Sequence, residues 1–534
     1  MIHPMPARPN APPQTQHPGD SRRSRPDTAA LILAALLALV ILWPLAHAAI
    51  HAFGARAPLL PPGPGALRSL ARSIAYALAI GVLSSLLAWP AAWAARSCSA
   101  RALLALVAPA CLPSYLVYAA WSTLRAPGTP LGNTLARAAG AGHEWILLSV
   151  ARGLAIWGLA LWAWPLACIA MIAMLRAVGP DIAAALRLDA GPTARARTIA
   201  IMTLRAPTLA AIAIAVLMLG TPVALHVAQA DTYALRLWLL QTEHPGRAWR
   251  ASSPLLTIAV LASLWLSARA LAWSRTLPGD TPPIGASRAR AHALIVLMPW
   301  LLAAVVPALL LARSLGSVDV LTRFMTRSWR SFFESLAIGA CVGALCLVIG
   351  LLASAAWGAW RPRRRLLACA LTLSVFAALV PGTLIGEAVL QATSARWAPF
   401  WLGHSPIPMI LAHVARYAAI PVAIGMAISS GASGSTSDLR LIDGVVGARA
   451  LADAFRTGAP PATALCCALL SLHEIESSVM VQPPGMHHLA QLLLNALHYA
   501  RTDELSAGGI VLLAGGTALA IAALGVRTRW GPAR

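Results

Sequence analysis

About twelve apolar runs, each near the length that crosses roughly 30 Å of hydrocarbon, occupy most of this chain and leave it few possible folds. They lie near residues 28–50, 73–95, 102–122, 145–175, 208–228 and 253–274, and again near 292–314, 334–360, 366–391, 407–430, 462–481 and 507–526. Within each run the apolar residues cover every face of a helical projection, as for helices surrounded by lipid and by each other. Only 11% of the 534 residues are charged, against about 25% in a soluble domain. The expected fold is an all-α polytopic membrane protein with about twelve transmembrane helices in a lipid bilayer.

The basic residues orient the bundle. All 41 are arginine, and with the N-terminus inside, the densest groups, Arg22-Arg23-Arg25 and Arg361 to Arg365, fall on the cytoplasmic side. A net charge of +23 invites a nucleic-acid reading, but these arginines are spread over short loops without interleaved aromatics, so no nucleic-acid partner is expected. Residues 1–27, rich in Pro, Ser and Arg, read as a disordered cytoplasmic segment. The first run exceeds the roughly 7 to 15 apolar residues of a signal peptide, so it reads as an uncleaved anchor. The eight cysteines, among them Cys341, Cys346, Cys466 and Cys467, show no metal-ligand spacing and read as small buried hydrophobes.

The chain reads as duplicated. Val150-Ala151-Arg152 in the fourth run recurs as Val414-Ala415-Arg416 in the tenth, and Ser73-Ile74-Ala75 in the second as Ser335-Leu336-Ala337 in the eighth. LGTPVALHV, Leu219 to Val227, takes the place that LHEIESSVM, Leu472 to Met480, takes later. The order is kept, giving two homologous six-helix halves at 28–275 and 292–526, a cytoplasmic linker at 276–291 and a cytoplasmic tail at 527–534. Six spans per half makes the repeat parallel, with both halves oriented alike.

Much chemistry is excluded. A phosphate-binding G-x-x-x-x-G-K-[ST] loop needs a lysine, and the chain has none. It also lacks an H-E-x-x-H zinc motif and a G-x-S-x-G elbow, so neither an enzyme nor a resident cofactor is expected. Two loops, at about 179–207 and 434–461, share a design: Ala/Leu/Arg runs broken once by glycine and ended by proline.

These loops resemble the coupling loop of binding-protein-dependent ABC transporter permeases, roughly E-A-A-x3-G-x9-I-x-L-P, and the double chain resembles the fused iron(III)-transport type. LPSYLVYAAW from Leu112, VPGTLIG from Val380 and QPPGMHHLAQLLLNALHYARTDELSAG from Gln482 fit the same type, and the likeness covers most of residues 70 to 526. It implies the type I importer permease fold in a bacterial inner membrane. It also implies two ATP-binding cassette subunits gripping the loops from the cytoplasm and a periplasmic substrate-binding protein on the other face. Asp438 stands at the family's glutamate and Gly444 at its glycine, while Leu439 and Arg440 replace the alanines. In the first loop Ala183, Ala184 and Ala185 remain, Asp181 is the available acid, and Ala190 or Gly191 takes the glycine position.

Glu474 and Glu476 fall inside the eleventh run, where a charged carboxylate costs at least about 2.5 to 3.5 kcal/mol, so they are expected to face protein or water. Two readings stay open: structural pairing with an arginine such as Arg416, or lining of a pathway that attracts a cation. Arg152 and Arg416, on equivalent runs, are expected to be paired or hydrogen-bonded inside the bundle. The implied function is the permease of an ABC importer for iron(III) or a related ion. A thiamine, phosphonate or polyamine permease is the alternative within the class. An ion-coupled secondary transporter using Glu387, Glu474 and Glu476 is the alternative outside it.

Overall fold

The computed structural model describes residues 28–53, 65–95, 106, 108–176, 191–274, 294–356, 361–430, 448–456 and 458–530. Among them the regular elements are all helices. The first part of the chain contains α1 (Thr28–Ala52), α2 (Ala66–Ala95), α3 (Ser114–Ser122), α4 (Pro130–Gly140), α5 (Glu144–Arg176) and α6 (Pro192–Leu219). It continues through α7 (Val223–Val227), α8 (Tyr233–Glu243), α9 (Pro245–Ala251) and α10 (Ser253–Ser274). The second part contains α11 (Leu294–Ser314), α12 (Val318–Ala356), α13 (Arg361–Leu379), α14 (Gly382–Thr393), α15 (Phe400–Gly403) and α16 (Ile407–Tyr417). It ends with α17 (Ala419–Ser430), α18 (Ala448–Arg456), α19 (Ala459–Leu472), α20 (Ser478–Val481), α21 (Leu489–His498) and α22 (Thr502–Trp530).

Among the described residues six helices, α1, α2, α5, α10, α11 and α12, are long and apolar enough to cross a membrane, and the total is eight if two bent pairs each count as one span. The bent pairs are α13 with α14, at 110°, and α16 with α17, at 48°. The chain is thus a multi-pass α-helical membrane protein, but twelve apolar runs are not twelve straight spans. Proline stands at three of the breaks: Pro113, Pro222 and Pro381 each come immediately before a new helix, since proline lacks the N–H and crowds the preceding turn. The run at 462–481 is also interrupted, and this corrects the expectation that Glu474 and Glu476 lie inside a span. α19 stops at Leu472, and both glutamates sit in the non-helical link before α20.

The first helix of each part packs against the other part. Leu33, Leu37 and Ile41 of α1 share a core with Val342 and Ile349 of α12, Leu371 of α13 and Val389 of α14. Ala303 and Ala304 of α11 pack into the core of the first part, beside Tyr118, Leu159 and Trp164. A third core joins Tyr115 and Leu116 of α3 and Val223 of α7 to Leu469, Leu472, Leu489 and Leu493. Because lipid is as apolar as these side chains, close van der Waals fit and small residues hold such contacts. The alanines buried along α2 and α6, including Ala77, Ala88 and Ala210, permit that fit.

The long helices α2 and α12 each tie down a later loop by the same bond. Ser73 Oγ donates to Ser69 O (3.0 Å) and accepts from Tyr233 N–H (2.7 Å) at the start of α8. Ser335 Oγ donates to Ser331 O (2.8 Å) and accepts from Leu489 N–H (2.8 Å) at the start of α21. Each serine therefore satisfies one of the orphan donors at a helix N-terminus. Asp231 adds ion pairs to Arg236 (3.0 Å) and Arg72 (3.4 Å). On the other side Glu334 pairs with Arg330 (2.8 Å) and accepts from His487 N–H (3.4 Å).

Candidate functional site: a charged cluster between helix breaks

The break between α13 and α14 leaves backbone groups without helical partners. Val380 O accepts from Arg416 Nη1 at 2.8 Å. Gly382 N–H, at the opening of α14, donates to Glu476 Oε2 at 3.3 Å. A guanidinium thus meets the carbonyl end of one helix and a carboxylate the N–H end of the next, the sign that each terminus favours. At membrane depth such satisfaction is obligatory, because no bulk water competes for the exposed groups. Position 382 admits only glycine, since a Cβ there would come within 2.5 Å of Glu476 Cβ.

The same cation and anion also meet each other. Arg416 Nη2 lies 3.2 Å from Glu476 Oε2, and its Nε lies 3.7 Å from Glu474 Oε1. Tyr417 OH donates to Glu474 Oε2 at 2.6 Å, and Ser477 donates to Glu474 Oε1 through both its N–H and its hydroxyl, each at 3.2 Å. Glu474 therefore accepts three hydrogen bonds besides its ion pair with Arg416, and Glu476 accepts two. Both carboxylates are buried. One guanidinium thus serves two carboxylates at once in a low-dielectric site.

Local hydrogen bonds explain why the chain leaves the helix here. Ser478 Oγ donates to Glu474 O at 2.6 Å, and Ser477 N–H is taken by the Glu474 side chain, both in competition with helical pairing. His413, fully buried on α16, bridges the two sides of the link: Nδ1 is 2.7 Å from Ser471 Oγ and Nε2 is 2.8 Å from Ser478 Oγ. The Ser478 hydroxyl hydrogen is used on Glu474 O, so Nε2 donates and Nδ1 accepts from Ser471.

Arg152 has a different setting from Arg416. Its Nη2 donates to Gln229 O at 3.2 Å, and no carboxylate pairs with it among the described residues. Gln229 has a left-handed backbone, φ 55°, and Gly485 takes the same region, φ 80°, in the corresponding loop before α21. Where α13 and α14 are joined through charges, the link before α3 uses a neutral donor: Trp162 Nε1 donates to Leu112 O at 2.8 Å. The breaks converge across the two parts, since a Cβ on Gly220, at the end of α6, would lie 3.3 Å from Pro381 Cα.

Of the residues singled out by sequence, Arg416, Glu474 and Glu476 come together, Arg152 lies apart, and Glu387 accepts from Gln391 Nε2 (2.7 Å) on its own helix. Gly191 is exposed, with extended backbone, immediately before α6. Asp181, Ala184, Ala185, Asp438 and Gly444 lie outside the described residues. Sequence reasoning missed Tyr417, His413, Ser477, Ser478 and Gly382. The adjacent Pro381-Gly382 was the one available signal, as a helix breaker within an apolar run. No family model, curated protein or solved structure matches the chain.

Proposed function

We propose that this chain is the permease subunit of a binding-protein-dependent ABC importer, carrying iron(III) or a related ion across a bacterial inner membrane. In this reading the two parts are homologous six-span halves of a type I importer fold. The carrying observation is the reciprocal packing of α1 and α11 on opposite parts, with the helix breaks at Gly220, Pro381 and His473 gathered between them. Transport by alternating access needs two bodies that rock against a shared seam, and a polar backbone at membrane depth where that seam lines a path. Helices 1 and 11 couple the two bodies, and the breaks supply the polar backbone.

The loops at 179–207 and 434–461 would be the levers for two separate ATPase subunits, and the α8 and α21 end would meet the periplasmic binding protein. The deciding experiment is co-purification of the tagged chain from its native membrane, followed by reconstitution with the ATPase and binding protein recovered. ATP-driven uptake of iron(III), without uptake of thiamine, phosphonate or polyamine, is the expected result. Uptake driven by an ion gradient with no ATPase present would replace this reading with a secondary transporter.

A further inference from the structure

Two imidazoles from opposite parts of the chain meet at the end of the bundle that carries α8 and α21. His226 is on α7 and His498 closes α21; their ring centroids are 5.2 Å apart and their planes 34° from parallel. Neither ring has a hydrogen bond among the described residues, so all four nitrogens are available to a ligand. His498 is exposed and His226 half-buried, with the Trp238 ring edge to face with His226 at 6.4 Å. The bordering wall therefore holds one imidazole still while the other stays open to water.

We propose that His226 and His498 form a two-imidazole site for a divalent cation of the Zn2+ or Cu2+ type. Such ions are borderline in softness and favour neutral imidazole nitrogen, whereas Mg2+ and Ca2+ favour oxygen. No three His, Cys, Asp or Glu side chains converge on a metal-sized site among the described residues, so water completes the coordination. The ion ties α7 of the first part to α21 of the second, and it opposes any motion that separates them at this end. This stands apart from the transport reading, because binding is measured on the chain alone.

His47 and His51, one helical turn apart on α1 with centroids at 4.5 Å, are a second close pair with an open position, so they are removed first. Zn2+ is titrated calorimetrically into the purified full chain carrying His47→Ala and His51→Ala. The expected result is one ion per chain, bound about tenfold or more weaker after either His226→Ala or His498→Ala. Both single changes must act, since the site needs one ring from each side. Equal affinity in all variants, or loss with only one of the two, overturns the site. If His226→Ala yields too little folded protein, His226→Gln keeps the bulk and is held to the same outcome. A second measurement uses His226→Cys with His498→Cys: copper-phenanthroline oxidation should cross-link them in native membranes, and absence of the link rejects the contact itself. Failure to recover an ATPase would count against the transport reading and leave these results unchanged.

Discussion

The two parts of the chain cap an unpaired carbonyl just before a helix start with different chemistry. Before α3 the buried carbonyl of Leu112 is capped by the neutral indole of Trp162. Before α14 the carbonyl of Val380 is capped by Arg416, and that cation in turn requires Glu474 and Glu476. A neutral cap stabilises one geometry. A charged cap shared between two carboxylates ties three chain segments together at once. The outer loops show the reverse relation, with matching chemistry on both sides: Ser73 and Ser335 each accept from the N–H at a helix start.

The largest expected difference is between removing the two caps. Arg416→Met leaves two buried carboxylates without their cation, and breaking a buried pair costs about 3 to 5 kcal/mol. Trp162→Phe leaves only a carbonyl unpaired, a cost of about 1 to 3 kcal/mol. Melting temperature and folded yield in detergent check the order. Equal loss from both changes would mean that charge adds nothing to the second break.

A finer division lies within the cluster. Either change leaves Arg416 one carboxylate, but Glu474 accepts three further hydrogen bonds, from Tyr417 and Ser477, and Glu476 one, from Gly382, so Glu474→Gln should reduce folded protein more than Glu476→Gln. The expected gap is about 1 to 2 kcal/mol, the worth of one or two hydrogen bonds to a charged group. Normal abundance for both variants with reduced uptake of a cationic substrate would instead favour a pathway role. Normal folding and normal uptake in both would reject either role.

The outer loops should behave alike. Ser73→Ala and Ser335→Ala each strand one buried N–H, of Tyr233 and Leu489 respectively, at about 1 to 3 kcal/mol. Hydrogen exchange at those two amides should rise together. Faster exchange on one side only would show that the two loops are held differently despite the common bond.

Acid is expected to separate the loops slightly. The hydrogen-bonded Arg236 holds the Asp231 carboxyl below its usual 3.8, against a smaller opposing effect of burial, with lesser help from Ser69 and Arg72. A depressed carboxyl stabilises the fold above its unfolded pKa, and that contribution disappears as pH falls through the folded value. With both Asp231 and Arg236 about one-third exposed, the effect should stay under about 1 kcal/mol. Asp231→Asn should therefore lower the melting temperature at neutral pH, by less as the pH falls through the folded value; an unchanged neutral melting temperature would contradict it.

Apolar run length and the scarcity of charge determined, without a structure, that this chain is helical and membrane-embedded, because a bilayer admits few other ways to satisfy a backbone. The serine match at 73 and 335 and the arginine match at 152 and 416 were also visible in the letters. Their partners were not. Both serines meet the start of a later helix, a relation that no local pattern encodes. The arginines diverge because Arg416 reaches two carboxylates and Val380 O across three chain segments, whereas Arg152 reaches a single carbonyl. Hydropathy over a window also reads through a break such as Leu472 to Ser478, since the residues stay apolar on average while the backbone leaves the helix. Where a span bends, and which cation meets which anion there, depends on contacts between residues far apart in sequence, and only the tertiary structure brings those residues within hydrogen-bonding distance.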